Sequence, residues 1–357
     1  MTLDFSYTAL PGRVAFGRDR AADLIASELE RLGLERVMLV AGEGEAALAE
    51  RLTAGVRDRI VTVFDGVRMH VPNAVAESAR AAAASAGADG LLSIGGGSTT
   101  GTAKIVALTS GLPIVAVPTT YAGSEMTPVW GLTTDARKET GTDLRVLPAS
   151  VVYDPALTQT LPAGMAVASG LNAMAHCVEA FWGPGANPVT SLHAAAGIRA
   201  LAAGMRARAS GAEGTEAADG EDSLLYGAYL AGSSFAVAGS GLHHKICHAL
   251  GGAFDLPHAQ THAVVLPHVL AFNAPALGAS DAQAMAQALD ADDAVTGLRR
   301  LYADIDAPST LAELGLTRAQ LQEGIGIVAA RLPIPNPRPV SPDDVAAILT
   351  AAYGPEA

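Results

Sequence analysis

Histidines gather in this chain at spacings that can do chemistry. Asn172 and His176 lie four residues apart in the segment LNAMAHCVEA, and residues four apart on a helix share a face. His244 and His248 repeat that spacing in LHHKICHALGG, with His243 and Lys245 beside them, and His258 and His262 follow in PHAQTH. Imidazoles held together can ligate a divalent transition metal, relay protons or hold an anion. A solitary histidine is ordinarily a core or surface residue, which suits His70, His193 and His268. For His176, His244 and His258 taken together, a site is the stronger reading.

Two loops have the make-up of a dinucleotide site. Asp89 to Lys104 (DGLLSIGGGSTTGTAK) is an apolar run entering three glycines and then a helix-compatible segment. Glycine lets the backbone approach a pyrophosphate, and the N–H groups and dipole of a helix start favour its charge. Alone, GGGS suits a tight strand-to-helix turn equally well, since it matches neither GxGxxG nor the P-loop pattern. Pro118 to Thr127 (PTTYAGSEMT) follows a second apolar run, so a loop rich in hydroxyls leaves the same sheet edge. Ligands of parallel α/β sheets bind outside the carboxyl ends of the strands, and two such loops together favour a phosphate site.

The segments that must carry these groups differ between the two halves. Through about residue 154, apolar runs (RVMLVAG, IVTVFDG, GLLSIGGG, PIVAVPTT) alternate with Ala-rich amphipathic stretches, the pattern of an α/β domain with a parallel sheet. From Leu161 onward, GMAVASGLNAMAHCVEAFW, SLHAAAGIRALAAGMRARA and SLLYGAYLAGSSFAVAG carry helical periodicity. The expected domains are therefore 1–154, α/β, and 155–357, all-helical, with the Pro-rich segment LPASVVYDPALTQTLP as the crossing. The acidic, Gly-rich stretch Ser210 to Asp222 predicts a solvated loop between helices.

A chain of 357 residues that is 50% hydrophobic can bury a large core. Its two cysteines, Cys177 and Cys247, sit in no ligand spacing and predict buried reduced thiols. The opening MTLDFSYTALPGRVAFG has neither a basic start nor a long apolar run, so a cytoplasmic protein without a membrane span is expected. A formal charge of −13 disfavours nucleic acid and anionic membranes as partners. An anionic substrate would need locally placed cations.

Taken as a set, GGGSTTGTAK, PTTYAGSEMTP, the DP-x-LT-x-x-LP segment at Asp154 to Pro162, GLNAMAHCVEAFW and HHKICHALGGAFDLPHAQTHAVVLPH resemble the iron-containing alcohol dehydrogenase family, in order and spacing, over most of the chain. The wording FDGVRMH, PTTYAGSEMTPVWGLT, GLNA and HHKICH with LPHAQTHAVVLPH is similar to its maleylacetate reductase branch, which reduces maleylacetate to 3-oxoadipate with NADH or NADPH in aromatic degradation. The resemblance implies a dehydroquinate synthase-like fold and a homodimer. It implies that Gly96, Gly97 and Ser98 meet the pyrophosphate, that Thr119, Thr120, Ser124 and Thr127 line the cofactor, and that Lys138 contacts it. It also implies a metal set at Asn172, His176, His244 and His258.

Four departures stand out. The family's aspartate ligand is Asn172 here, and a neutral amide removes the one anionic donor that offsets a divalent ion's charge. Gly101 replaces a common aspartate and His262 a common asparagine. Gly42 stands where NAD-selective members often carry an acid, which predicts tolerance of NADPH as well as NADH. Without a metal, His243, His244, Lys245 and His258 are expected to supply positive charge and hydrogen bonds to a small dicarboxylate, with Tyr121 or His248 as proton donor. The alternative is an iron- or zinc-dependent alcohol or lactaldehyde-type dehydrogenase.

Overall fold

The structure, a computed structural model, describes residues 4–134 and 137–355, apart from the side chains of Arg137 and Lys138. The chain divides into one compact unit, Leu10–Leu161, and a second made of the chain from Pro162 onward together with the N-terminal residues up to Ala9. The sequence places this division at Asp154. Asp154 itself is bound into the first unit, where its carboxylate accepts the backbone N–H groups of Asp19, Arg20 and Ala21, each at 2.9 Å.

The first unit runs β1 (Arg13–Phe16), α1 (Ala21–Leu32), β2 (Val37–Val40), α2 (Ala46–Thr53), β3 (Ile60–Phe64), α3 (Asn73–Ala86), β4 (Gly90–Gly95), α4 (Gly97–Ser110), β5 (Ile114–Pro118), β6 (Val129–Thr134), β7 (Arg137–Thr142) and β8 (Ser150–Tyr153). Six strands form a parallel sheet in the order β1-β8-β5-β4-β2-β3, and β6 and β7 make a separate antiparallel pair. β4, GLLSIG, is buried at every position, as expected of a central parallel strand covered on both faces. Alternation sends Leu92, Ile94, Val115 and Val117 to Ile25 and Leu29 of α1. It sends Leu91, Ile114 and Ala116 the other way, to Ala79 and Ala83 of α3 and Val106 of α4.

The second unit is helical: α5 (Ala163–Ala180), α6 (Pro188–Ala209), α7 (Gly214–Ala238), α8 (Leu242–Phe254), α9 (His258–Asn273), α10 (Ala279–Ala288), α11 (Ala294–Asp304), α12 (Arg318–Ala329) and α13 (Pro342–Tyr353). The expected loop at Ser210 to Asp222 is a correction, because α7 begins at Gly214. Its glycines serve close helix packing. A Cβ on Gly204 would lie 2.5 Å from the Gly220 carbonyl oxygen, and one on Gly220 2.8 Å from Ala207 Cβ. Glu221 is also buried and paired with Arg208. The acidic residues Glu213, Glu216 and Asp219 are exposed as their composition suggested, while Gly220 and Glu221 turn to the neighbouring helix. Cys177 and Cys247 are free and buried. Among the described residues no helix is long and apolar enough to cross a membrane.

Candidate active site

In the first unit the two loops leave adjacent strands at the carboxyl edge of the sheet and touch. Gly95 ends β4 at φ 150°, and a Cβ there would lie 2.5 Å from Thr99 Oγ1, so only glycine fits. Gly96 caps α4, and Gly97 and Ser98 open it, placing a helix N-terminus at the strand end as phosphate binding requires. Thr119 donates its N–H to Gly95 O at 3.1 Å, and the Cβ position of Gly96 lies 3.2 Å from Thr120 Cγ2. Gly101 has a reason of its own, since a Cβ there would come within 3.2 Å of Val71 Cγ2.

The Ser124–Thr127 loop is held from beneath by a lysine the sequence left without a role. Lys104 of α4 is buried, and its Nζ donates to Ser124 O at 2.6 Å, Thr127 O at 2.8 Å, Val129 O at 2.8 Å and Thr127 Oγ1 at 3.1 Å. The Thr127 hydroxyl donates onward to Ser124 O at 3.0 Å, so it braces the loop. Burial lowers the Lys104 pKa to about 7, against the pull of nearby Glu125. Glu125 is itself buried, accepts the Tyr153 hydroxyl at 2.6 Å, and is pushed up by its own desolvation. Thr119 is buried, and Thr120 and Ser124 are half-buried. Tyr121 is fully buried. Lys138 sits in β7 opposite Thr133, and its side chain lies outside the described residues.

In the second unit α5, α8 and α9 bring six imidazoles together. His176 stacks on His244 with ring centroids 5.0 Å apart, and His262 lies 4.7 Å from His244 and 4.4 Å from His258. His243 Nε2 and His262 Nδ1 share a hydrogen bond of 2.9 Å. His248 stacks on His258 at 6.0 Å, and these two and Lys245 are exposed. Phe235 of α7 closes the apolar side, 4.6 Å from His176 and 4.3 Å from His244.

Glu179 organises this cluster. It is fully buried, accepts the His243 backbone N–H at 2.8 Å with one oxygen, and bonds His244 Nδ1 with the other. Asn172 Oδ1, His176 Nδ1, His243 Nδ1, His244 Nε2 and His262 Nε2 are buried with no hydrogen-bond partner among the described residues. Buried polar atoms are normally paired, so a group of orphans in one cluster points to a ligand.

The charge expected of these histidines is a second correction. Burial lowers His176 and His243 to about 3 and takes His244 and His262 well below the ordinary value, with neighbouring histidines adding to each shift. Burial raises Glu179 to about 7. Both directions take charge out of the core. His243 and His244 are therefore neutral groups at pH 7, and the cation beside them is exposed Lys245.

The donors present offer a divalent ion only neutral ligands. Among the described residues, the acid, thiol or imidazole side chains whose donor atoms all lie within 4.8 Å of one another are His243, His244 and His262. Two of these three are bonded to each other. The amide of Asn172 is neutral, and the buried carboxylate, Glu179, is spent on His244 and a backbone N–H. An ion of charge +2 would thus meet no direct anionic donor.

Two residues of this cluster had no role in the sequence. Glu179 carried a signal, a lone acid within the apolar helix segment NAMAHCVEAFW, which a soluble protein buries only with partners. His262 was visible as a departure, but its bond to His243 depends on how α8 meets α9.

Two family models match the chain: "Iron-containing alcohol dehydrogenase" over residues 11–155 and "Fe-containing alcohol dehydrogenase family, C-terminal" over residues 166–353. A maleylacetate reductase of Sphingobium indicum is 44% identical over 350 residues, covering 98% of this chain and 97% of that protein. The crystal structure of an iron-containing alcohol dehydrogenase from Corynebacterium glutamicum superposes with a TM-score of 0.94 at 48% identity, covering 99% and 98% of the two chains. A maleylacetate reductase structure from Agrobacterium tumefaciens gives 0.92 at 37% identity, with 99% of each chain covered. Glycine loop, helical unit and full-length similarity agree, and the chain belongs to the iron-containing alcohol dehydrogenase family.

Proposed function

We propose that this protein reduces maleylacetate to 3-oxoadipate with NADH or NADPH, using its buried imidazoles in place of a metal. The observation that carries the proposal is the group of unpartnered nitrogens on His176, His243, His244 and His262 around a neutral site without an anionic ligand. Full-length similarity to maleylacetate reductases supports the substrate.

The reaction moves a hydride from the dihydronicotinamide to the alkene carbon β to the ketone. The alkene π pair shifts to form the enolate, a proton then enters at the carbon α to the ketone, and NAD(P)+ leaves. Enolate charge is spread over oxygen and carbon, so fixed N–H donors can stabilise it in the manner of an oxyanion hole. A proton on the Glu179 carboxyl leaves His244 as Nε2–H, a donor; an ionised Glu179 takes Nδ1–H and leaves a lone pair at Nε2. The donor form serves the enolate oxygen. Exposed Lys245, His248 and His258 are the groups available to the substrate carboxylates and to the incoming proton.

NADH and NADPH oxidation with freshly generated maleylacetate, on protein of known iron and zinc content before and after chelation, tests this. Turnover that survives metal removal is expected. Activity that returns only with added iron or zinc would sink the metal-free reading.

A further inference from the structure

Gly42 carries no side chain at the end of β2, and the carboxylate of Glu45 lies beside it. Gly42 follows β2, and Val40 pairs with Ser93 of β4 on one side and Phe64 of β3 on the other. The end of β2 therefore emerges at the same sheet edge as the Gly95–Gly97 turn, one strand over. In dinucleotide sites built on such sheets, the pyrophosphate lies over the glycine loop and an acid farther along the edge holds the ribose 2′-hydroxyl.

Beyond Gly42 the chain forms a short turn of residues Glu43–Glu45, in which Glu45 N donates to Gly42 O at 3.0 Å. That turn folds Glu45 back over the strand end. Its Oε2 lies 2.9 Å from where a Cβ on Gly42 would stand. The place an acid at position 42 would grow into is thus filled by a carboxylate from three residues on. Glu45 is half-buried, and its carboxylate makes no hydrogen bond or ion pair with a described residue. Glu43 is exposed.

We infer that Glu45 selects the cofactor: its carboxylate accepts the ribose 2′-hydroxyl of NADH and repels the 2′-phosphate of NADPH. The proposal rests on nicotinamide binding by the first unit. It reverses the tolerance that glycine at position 42 suggested. A cation follows in sequence, Arg68 after β3, whose guanidinium donates to Val67 O at 2.8 Å, with Val67 Cβ 3.9 Å from the Gly42 position.

The test is titration of the full chain with NADH and with NADPH, followed by kcat/KM for each. Wild type is expected to favour NADH by about tenfold or more, the scale of a like-charge mismatch. Glu45→Gln should close most of that gap by strengthening NADPH, and Glu43→Gln and Arg68→Ala should leave the ratio unchanged. An NADPH/NADH ratio that Glu45→Gln does not move, or one that collapses in Arg68→Ala, overturns the proposal and leaves nicotinamide binding standing. Failure of both dinucleotides to bind wild type overturns the proposal together with the reading beneath it.

Discussion

Glu179 grips His244 through Nδ1 while both side chains are buried in the helical unit. The contact joins the end of α5 to the start of α8, and it decides which nitrogen of His244 faces a ligand. Glu179→Gln can preserve the geometry, because its amide oxygen accepts the His243 N–H and its NH2 donates to Nδ1, leaving Nε2–H as a donor. If His244 acts as a donor, this variant keeps kcat within about tenfold of wild type. Glu179→Ala leaves the His243 N–H and His244 Nδ1 unsatisfied, and unfolding should become easier by about 3 kcal/mol, measured by denaturant titration.

Installing the missing anionic ligand should change metal content. Asn172→Asp adds a carboxylate one helical turn before His176, the donor a divalent ion lacks here. After equal exposure to zinc and gel filtration, elemental analysis should find the variant enriched in metal by about tenfold over wild type. Equal metal content in the two proteins would show that the amide is not what weakens binding.

The His243–His262 bond of 2.9 Å satisfies one nitrogen of each buried ring. His262→Leu removes that bond and leaves His243 Nε2 only its weak 3.8 Å contact with Cys247 Sγ, at a cost of about 1–3 kcal/mol. Turnover should fall as well, with NADH affinity unchanged, because His262 belongs to the histidine cluster and not to the loops of the first unit. A parallel loss of NADH affinity in a binding titration would contradict that division of labour.

Lys104 makes stability depend on pH. Its pKa falls from 10.5 to about 7 on folding, so between those values the unfolded chain holds the proton and the folded chain does not. Stability linked to this group therefore rises with pH across that window, and the penalty is complete below about pH 7. Relative to Lys104→Met, which cannot titrate, the unfolding free energy of wild type should climb by up to about 1.4 kcal/mol per pH unit from pH 7 to 9. The variant should also bind NADH more weakly, since three carbonyls of the Ser124–Val129 segment lose their common donor.

Gly204→Ala tests the α6–α7 seam. The added methyl would stand 2.5 Å from the backbone oxygen of Gly220, which cannot swing aside as a side chain can. A loss of about 1–3 kcal/mol is expected, read as a lower melting temperature without loss of helix content in the folded state.

Much of this protein is written in local pattern. Continuous apolar runs such as GLLSIG and PIVAVP, interleaved with amphipathic stretches, specify a parallel sheet covered on both faces, because each strand must bury two sides. Gly95 to Gly97 and the Pro118–Thr127 loop mark the dinucleotide edge for the same local reason, a backbone that only glycine permits and a helix start beside it. Four-residue spacing put His244 and His248 on one helix. What packing alone decided are properties of distance and burial. Glu179 meets His244 across sixty-five positions of sequence, His262 completes His243, and the enclosure of these rings holds them neutral although their number suggested charge. Glu45 takes the place left open at Gly42 through a turn whose direction no periodicity records. Gly204 and Gly220 let the backbones of α6 and α7 approach, a match between helices that neither segment displays alone.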